Sequence, residues 1–470
     1  MPDTVTDKVA DNVADEVIWD KEIDVPKKWI EFVDENVLAR LPSGTQIKSI
    51  GPHGASYWTR TAEIETEQED GSALSFFLKV TQHDTGKGMV TGEFASMTAL
   101  HNTVPDLTPS PIAWGTYASD PNVHFFLCSF VDMTDDVPDI QKFTAKIAEL
   151  HKKSASPTGK YGFSIPTYLG TIPQETAWTD SWEEFFTKSM KRWLVVEENS
   201  QGYDEEMKRL SEALLSKVIP RLLRPLETGG RKIQPCLVHG DLWDGNTSSN
   251  AETDSPVIFD ASCVYAHNEV EMAPWRPIRH KIGKPYVRAY HKHFPISAPE
   301  EDQDDRNALY CIRFNMCSSA LYPGNLRFRR IIIEEMRALV EKFPDGYEGW
   351  EKEKESAVRG PISDTEQKVE TVFSIPDPNS PPRLLPGEAP PHSIPPPLIH
   401  HPERDASTDL IGAIPHSQTT PPLPAVSADG VLPLGGEASW ETPENGGLLG
   451  GETPPHPISG KVRLGIETTG

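Results

Sequence analysis

The chain has 470 residues, 44 of them proline, and a formal net charge of −25. That acidity, with no lysine or arginine stripe, excludes a surface built to attract nucleic acid or an anionic membrane, and no run approaches the roughly 18 apolar residues of a membrane span. The N-terminus lacks the basic-then-apolar profile of a secretory leader, so a cytoplasmic location is expected, and the five scattered cysteines, without a CxxC pair, are expected to be reduced structural thiols with no zinc site.

Residues 1–20, "MPDTVTDKVADNVADEVIWD", are acidic and weakly apolar and are expected to form a disordered arm. In "VPKKWIEFVDENVLARL" the residues Trp29, Phe32, Val33 and Val37 share one helical face and Pro26 suits a first turn, which predicts an opening helix. The runs "QIKSIG", "SYWTRTAEIET" and "SALSFFLKVT" are rich in β-branched and aromatic residues and separated by turn signals, which predicts an antiparallel meander. "TGEFASMTALHN" carries Phe94, Met97 and Leu100 at helical spacing, and "NVHFFLCSFV" returns to strand character. From about residue 139 the pattern is mainly helical, in "IQKFTAKIAELHKKS", "SWEEFFTKSMKRWLVVEE", "EEMKRLSEALLSKVIPRLL" and "RRIIIEEMRALVEKF". About half of the 44 prolines lie from Pro361 onward, where no apolar period survives. The reading is an α+β protein with a small β-rich N-lobe over 21–131, a larger helical C-lobe over 132–352 and a disordered proline-rich tail over 353–470.

The segment "LVHGDLWDGN" and the strand-like "PVIFDA" after it place Asp241, Asn246 and Asp260 in a pattern that fits phosphoryl transfer. That reaction needs a carboxylate at the attacking hydroxyl and hard oxygen ligands holding magnesium against the phosphates. Asp241 would accept the hydroxyl proton, Asn246 would take one metal, and Asp260 would chelate the metal bridging the phosphates of ATP. Upstream, Lys79 is the one charge inside the apolar run "FFLKV" and needs an anionic partner, a role for which Glu93 in the next predicted helix is the candidate. "GPHGAS" stands between the first two strands where a phosphate-covering loop belongs, which would bring Gly51 and Gly54 to the nucleotide.

The stretch "HGDLWDGN…PVIFDASCVYAHNE" resembles the fructosamine/ketosamine-3-kinase family, whose mark is HGDLW-x-GN followed by a PV-x-F-D strand, and Trp243 is the discriminating residue. "GEFASMTAL", "LHKKS", "YGFSIPTYLGTIPQ", "DSWEEFF", "VRAYHKHFP" and "RNALYCIRFNMCSSALYPG" extend the resemblance over roughly residues 25–345. It implies a two-lobed protein-kinase-like fold of the aminoglycoside phosphotransferase type using ATP and Mg2+, with Lys79 and Glu93 as the ATP-side pair, Asp241 as base, and Asn246 and Asp260 as metal ligands. The implied substrates are ketosamines, on glycated proteins or as small molecules, phosphorylated at the 3-hydroxyl so that the adduct decomposes. Trp243 and His239 are assigned to the acceptor, the indole packing against the sugar-derived chain.

Three features depart from the family pattern: Asp244 stands where a small residue is usual, the "GPHGAS" loop has no cysteine, and "MAPWRPIRHKIGKPY" replaces a glycine-rich continuation. For "PWRP" two readings stand, shaping the acceptor site or packing a lineage-specific loop, and packing is favoured. Two rivals stand beside the main reading: a kinase for another small alcohol such as an aminoglycoside, choline or a sugar, and a non-catalytic scaffold whose proline-rich tail recruits domains with aromatic grooves.

Overall fold

The computed structural model describes residues 25–54 and 56–359. The arm over 1–20 lies outside the described residues, as does the proline-rich chain from 360 onward. The segment predicted as one opening helix is instead a 3-10 turn, Lys27–Ile30, and a short helix α1, Glu35–Leu38. The interruption is Asp34. Its carboxylate caps α1 by accepting the Asn36 N–H at 2.9 Å, and it also accepts the N–H groups of Ala118 at 2.8 Å and Ser119 at 3.1 Å. A helix running through residue 34 would forfeit those bonds. Trp29 and Val37 are buried as predicted, while Phe32 stays exposed.

Strands β1 (Gln46–Pro52), β2 (Arg60–Glu67) and β3 (Ala73–Gln82) form the predicted meander, helix α2 (His83–Thr103) follows, and β4 (Pro111–Thr116) and β5 (Val123–Ser129) complete a five-stranded antiparallel sheet. Its order is β1-β2-β3-β5-β4. The two-residue strand period sorts the side chains. Phe76, Leu78 and Val80 of β3 join Ala62, Ile64, Phe125 and Leu127 in an outer core with Trp29 and Val37. Phe77 and Lys79 therefore point to the opposite face, where their register partners on β5 are Cys128 and Phe126.

The helical part opens with α3 (Ile140–Lys153), a small hairpin of β6 (Tyr168–Leu169) and β7 (Ile172–Pro173), α4 (Trp182–Gln201), α5 (Glu205–Ala213) and α6 (Ile219–Leu223). Four short strands follow, β8 (Cys236–Val238), β9 (Thr247–Ser249), β10 (Pro256–Ile258) and β11 (Val264–Ala266), paired antiparallel as β8 with β11 and β9 with β10. Helices α7 (Lys284–His293), α8 (Gln303–Leu321), α9 (Arg327–Lys342) and α10 (Gly346–Arg359) close the fold. The boundary drawn at 352 falls inside α10, whose Trp350 and Tyr347 rings lie 5.4 Å and 4.8 Å from the guanidinium groups of Arg221 and Arg224. Ion pairs sit in the interior of this part, among them Arg306 with Glu269 at 2.8 Å and Arg329 with Glu197 at 2.7 Å. All five cysteines are free and buried, and burial pushes each thiol up, so none is poised as a thiolate. No helix among the described residues is long and apolar enough to cross a membrane.

Candidate active site

The inner face of the sheet and the short strands of the helical part enclose a cavity of about 290 Å³. Lys79 enters it from β3, and its ammonium reaches both Glu93 oxygens at 2.7 Å and 2.8 Å and Asp260 Oδ1 at 2.7 Å. The Lys79 side chain is buried, and despite that desolvation the Asp260 and Glu93 charges hold its pKa above the ordinary lysine range. Burial pushes the Glu93 carboxyl up, against the pull of Lys79. Asp260 follows β10 in a left-handed conformation, φ 60°, uncommon for a residue with a side chain. Enclosure in the cleft opposes its charge, but Lys79 outweighs that and holds the Asp260 carboxyl below the usual range.

The loop between β8 and β9 carries the remaining groups. Asn246 Nδ2 donates to the Asp241 carbonyl at 2.8 Å and to Asp241 Oδ2 at 3.1 Å, so both side chains are held on one side of a tight turn. Burial pushes the Asp241 carboxyl up to about 7; the Asp260 charge adds to the shift and the Asn246 amide opposes it. Two glycines permit the loop. Gly240 has φ 86°, and a Cβ there would strike the Ser262 carbonyl; a Cβ on Gly245 would strike the Trp243 indole, which lies across it.

Of the supports of this loop, Glu271, His280 and Arg313 were not singled out from sequence. Glu271 accepts the backbone N–H groups of His239 at 2.6 Å and Gly240 at 3.2 Å, with His151 Nε2 3.4 Å away. Trp275 of "PWRP" donates its indole N–H to the Leu242 carbonyl at 2.7 Å, which ties that segment to the loop. Asp244 accepts from His280 Nδ1 at 3.0 Å, and the His280 ring packs on Trp243 with centroids 5.4 Å apart. Arg313 is turned onto Gln174 and Ser189, and its charge opposes the rise at Asp241. A carboxylate such as Glu271 inside the apolar "NEVEMAPW" was a usable signal, because a buried charge needs partners. The reach of Arg313 and His280 to this loop had none.

Two assignments are corrected. His239 does not face the acceptor: its ring is fully enclosed, Nε2–H donates to the Phe259 carbonyl at 2.9 Å, and Nδ1 accepts the Asp241 N–H at 3.3 Å. Burial holds its pKa below the ordinary histidine range, and it ties the β8–β9 loop to the end of β10 as a neutral ring. Gly51 belongs to the β1–β2 ladder opposite Glu63 and does not line the cavity; His53, Gly54 and Ser56 do. Lys79, Glu93, Gly54, Asp241, Trp243, Asn246 and Asp260 all line that one cavity.

The family model described as fructosamine kinase matches residues 46–338. The chain is 28% identical over 267 residues to the chloroplastic protein-ribulosamine 3-kinase of Arabidopsis thaliana, covering 57% of this chain and 76% of that one. It is 28% identical over 287 residues to the ketosamine-3-kinase of Mus musculus, covering 56% of this chain and 86% of that one. Among solved structures, a putative fructosamine-3-kinase from Thermobifida fusca is 18% identical with a TM-score of 0.49, covering 64% of this chain and 96% of that one.

Proposed function

The chain belongs to the fructosamine kinase family, and from that membership we propose that the cleft transfers the γ-phosphoryl group of ATP to the 3-hydroxyl of a ketosamine. The protein is a phosphotransferase acting on a hydroxyl group, a ketosamine 3-kinase that uses ATP on glycated substrates. The observation that supports the assignment of roles most strongly is the convergence of Asp241, Asn246 and Asp260 with the Lys79–Glu93 pair on one cavity.

In this reading Lys79, fixed by Glu93, holds the nucleotide phosphates, and Gly54 lies in the loop that covers them. Asp241 orients the acceptor hydroxyl and takes its proton as the oxygen bonds to the γ-phosphorus and the bond from that phosphorus to ADP breaks. Its raised pKa suits a base working near neutrality. The donor set fits a hard cation: the Asn246 amide nitrogen is engaged with Asp241, which leaves Oδ1 as the ligand atom, and the Asp260 carboxylate is 55% exposed to the cleft. Bound there, Mg2+ would neutralise charge developing on the phosphates. Trp243 would pack on the sugar-derived chain. A phosphate at C3, β to the C2 carbonyl, is a good leaving group, so the product decomposes and frees the amine. A cytoplasmic location is part of the proposal; five unpaired thiols are compatible with a reducing compartment.

Purified protein incubated with ATP, Mg2+ and either ribulosyl-lysine or fructosyl-lysine is expected to give a C3 phosphate by phosphorus NMR and then free lysine. Phosphorylation of an aminoglycoside or choline in place of both adducts overturns the assignment.

A further inference from the structure

Two rows of residues at a spacing of four run along α2, and they have different neighbours. Met89, Glu93 and Met97 line the cavity. One position earlier, Gly88, Gly92 and Ser96 face residues 166–168, which lead into β6, and the segment that follows Asp260. The two glycines of this second row leave no room for a side chain. A Cβ on Gly92 would come 2.8 Å from the Pro166 carbonyl oxygen and 3.1 Å from Thr167 Cα, and one on Gly88 would strike the Tyr168 hydroxyl.

Ser96 ends the row with hydrogen bonds. Its Oγ accepts the N–H of Cys263 at 3.0 Å, and its backbone carbonyl accepts from the Cys263 thiol, Sγ to O 3.8 Å, with both residues fully buried. Burial keeps that thiol protonated and so able to donate. Cys263 stands three residues after Asp260, as Ser96 stands three after Glu93. Both carboxylates that hold Lys79 are therefore a short step from one clasp between α2 and a segment 167 positions away.

The Asp260 side of the clasp is itself fixed. Thr167 Oγ1 donates to the Cys263 carbonyl at 3.2 Å, Gln174 Nε2 donates to the Ser262 carbonyl at 2.9 Å, and the Ser262 N–H donates to the His239 carbonyl at 2.9 Å. Residues 260–263 are thus tied to the base-bearing loop and to both ends of the β6–β7 hairpin, and α2 is the element whose position is set against them. Glu93 follows Gly92 by roughly 100° about the helix axis, so a roll or outward shift of the small-residue row carries the carboxylate away from Lys79. With alanine at position 96, the buried Cys263 N–H would lose this acceptor, and the native position of α2 would lose its advantage over a shifted one.

We propose that Ser96 is a positioning residue for phosphoryl transfer: by fastening α2 to the segment after Asp260 it keeps Glu93 on Lys79, and so holds the lysine ammonium in place for the nucleotide phosphates. The inference rests on the reading of Lys79 and Glu93 as the nucleotide-side pair.

The test is the ATP dissociation constant measured by calorimetry, in wild-type protein and in a Glu93→Gln background. Ser96→Ala is expected to raise that constant about 5-fold, the effect of one buried hydrogen bond on the population of the binding-competent position of α2. Gly92→Ala, which pushes the same row off the Pro166 carbonyl, should raise it by a similar factor and stands in should Ser96→Ala lose its melting transition. In the Glu93→Gln background both factors should fall below about 2, because the carboxylate through which they act is gone, whereas a merely structural role would leave them unchanged. The Michaelis constant for ribulosyl-lysine at saturating ATP should stay within about 2-fold of wild type in each variant. Unaltered ATP binding in folded Ser96→Ala, or in Gly92→Ala where it stands in, or equal factors in the two backgrounds, overturns the positioning role alone. If Glu93→Gln by itself binds ATP as wild type does, the nucleotide-side reading of Lys79 and Glu93 falls and the inference falls with it.

Discussion

At the nucleotide end of the cleft the groups are held by ionic contacts, with Lys79 within 2.8 Å of both Glu93 and Asp260. The end proposed for the acceptor is lined by rings whose centroids lie 5.4 to 6.5 Å apart and which come from the loop before β2, the β8–β9 loop, the segment after Trp275 and the end of α8. The contrast sorts the two ends by how they fail. A buried ion pair loses most of its value when one partner is removed, because the other is left charged and unpaired. An aromatic wall shares its contribution among several faces, so single replacements give graded effects.

The largest effect is expected at the junction of the two ends. Asp241→Asn should lower turnover by about 10²- to 10⁴-fold in single-turnover phosphate transfer while leaving nucleotide binding nearly intact. Because burial already disfavours the Asp241 charge, the same substitution should not lower the melting temperature at pH 7. Near-normal turnover removes Asp241 from the role of base.

Lys79→Met tests the ionic end. It strands Glu93 and Asp260, so the ATP Michaelis constant should rise by more than about 10-fold, and unfolding free energy should fall by about 3–5 kcal/mol, the range for breaking a buried pair on one side. A variant that keeps wild-type ATP affinity contradicts the assignment of Lys79 to the phosphates.

Acidity should separate activity from stability. With the Asp241 carboxyl at about 7, turnover should rise as pH climbs through 7, and fall below it as the base protonates. The sign for stability is opposite. The folded chain keeps the proton where the unfolded chain, with its ordinary value of 3.8, releases it, so the contribution of Asp241 to stability grows as pH falls from about 7 toward 4. The difference in melting temperature between wild type and Asp241→Asn should therefore narrow between pH 7 and pH 5. A gap that widens on acidification places the raised pKa elsewhere.

Trp243→Leu belongs to the graded class. It should raise the Michaelis constant for a ribulosyl amine by about 10-fold and spare that for ATP, since His280, Phe314 and Tyr322 keep the rest of the wall in place. The smallest effect is expected from ending the chain at Arg359: α10 and its contacts to Arg221 and Arg224 are then retained, and melting temperature and activity on small ketosamines should be unchanged.

Much of the fold was legible because its signals are local. The alternation in "SALSFFLKVT" is a period of two, and it places Lys79 on the face opposite Phe76, Leu78 and Val80 before any partner is known. Helix α2 was legible through Phe94, Met97 and Leu100 in the same way. The opening helix misled because the pattern of Trp29, Phe32, Val33 and Val37 does not register that Asp34 bonds to residues 84 and 85 positions away. His239 misled for a related reason. A histidine beside the base suggests contact with a substrate, and the enclosure that turns it into a neutral tie to Phe259 comes from a strand 20 residues later.

The sequence by itself determined the phosphoryl-transfer pattern, since Asp241, Asn246 and Asp260 lie on one short loop-and-strand unit whose spacing is a matter of bond geometry. Tertiary structure alone decided what stands around that pattern. The meeting of Lys79 with Asp260 spans 181 positions, and the contact of Trp58 with Tyr322 joins the first sheet to the end of α8. Such contacts depend on how the sheet and the helical part pack together, and no local period or spacing encodes that arrangement.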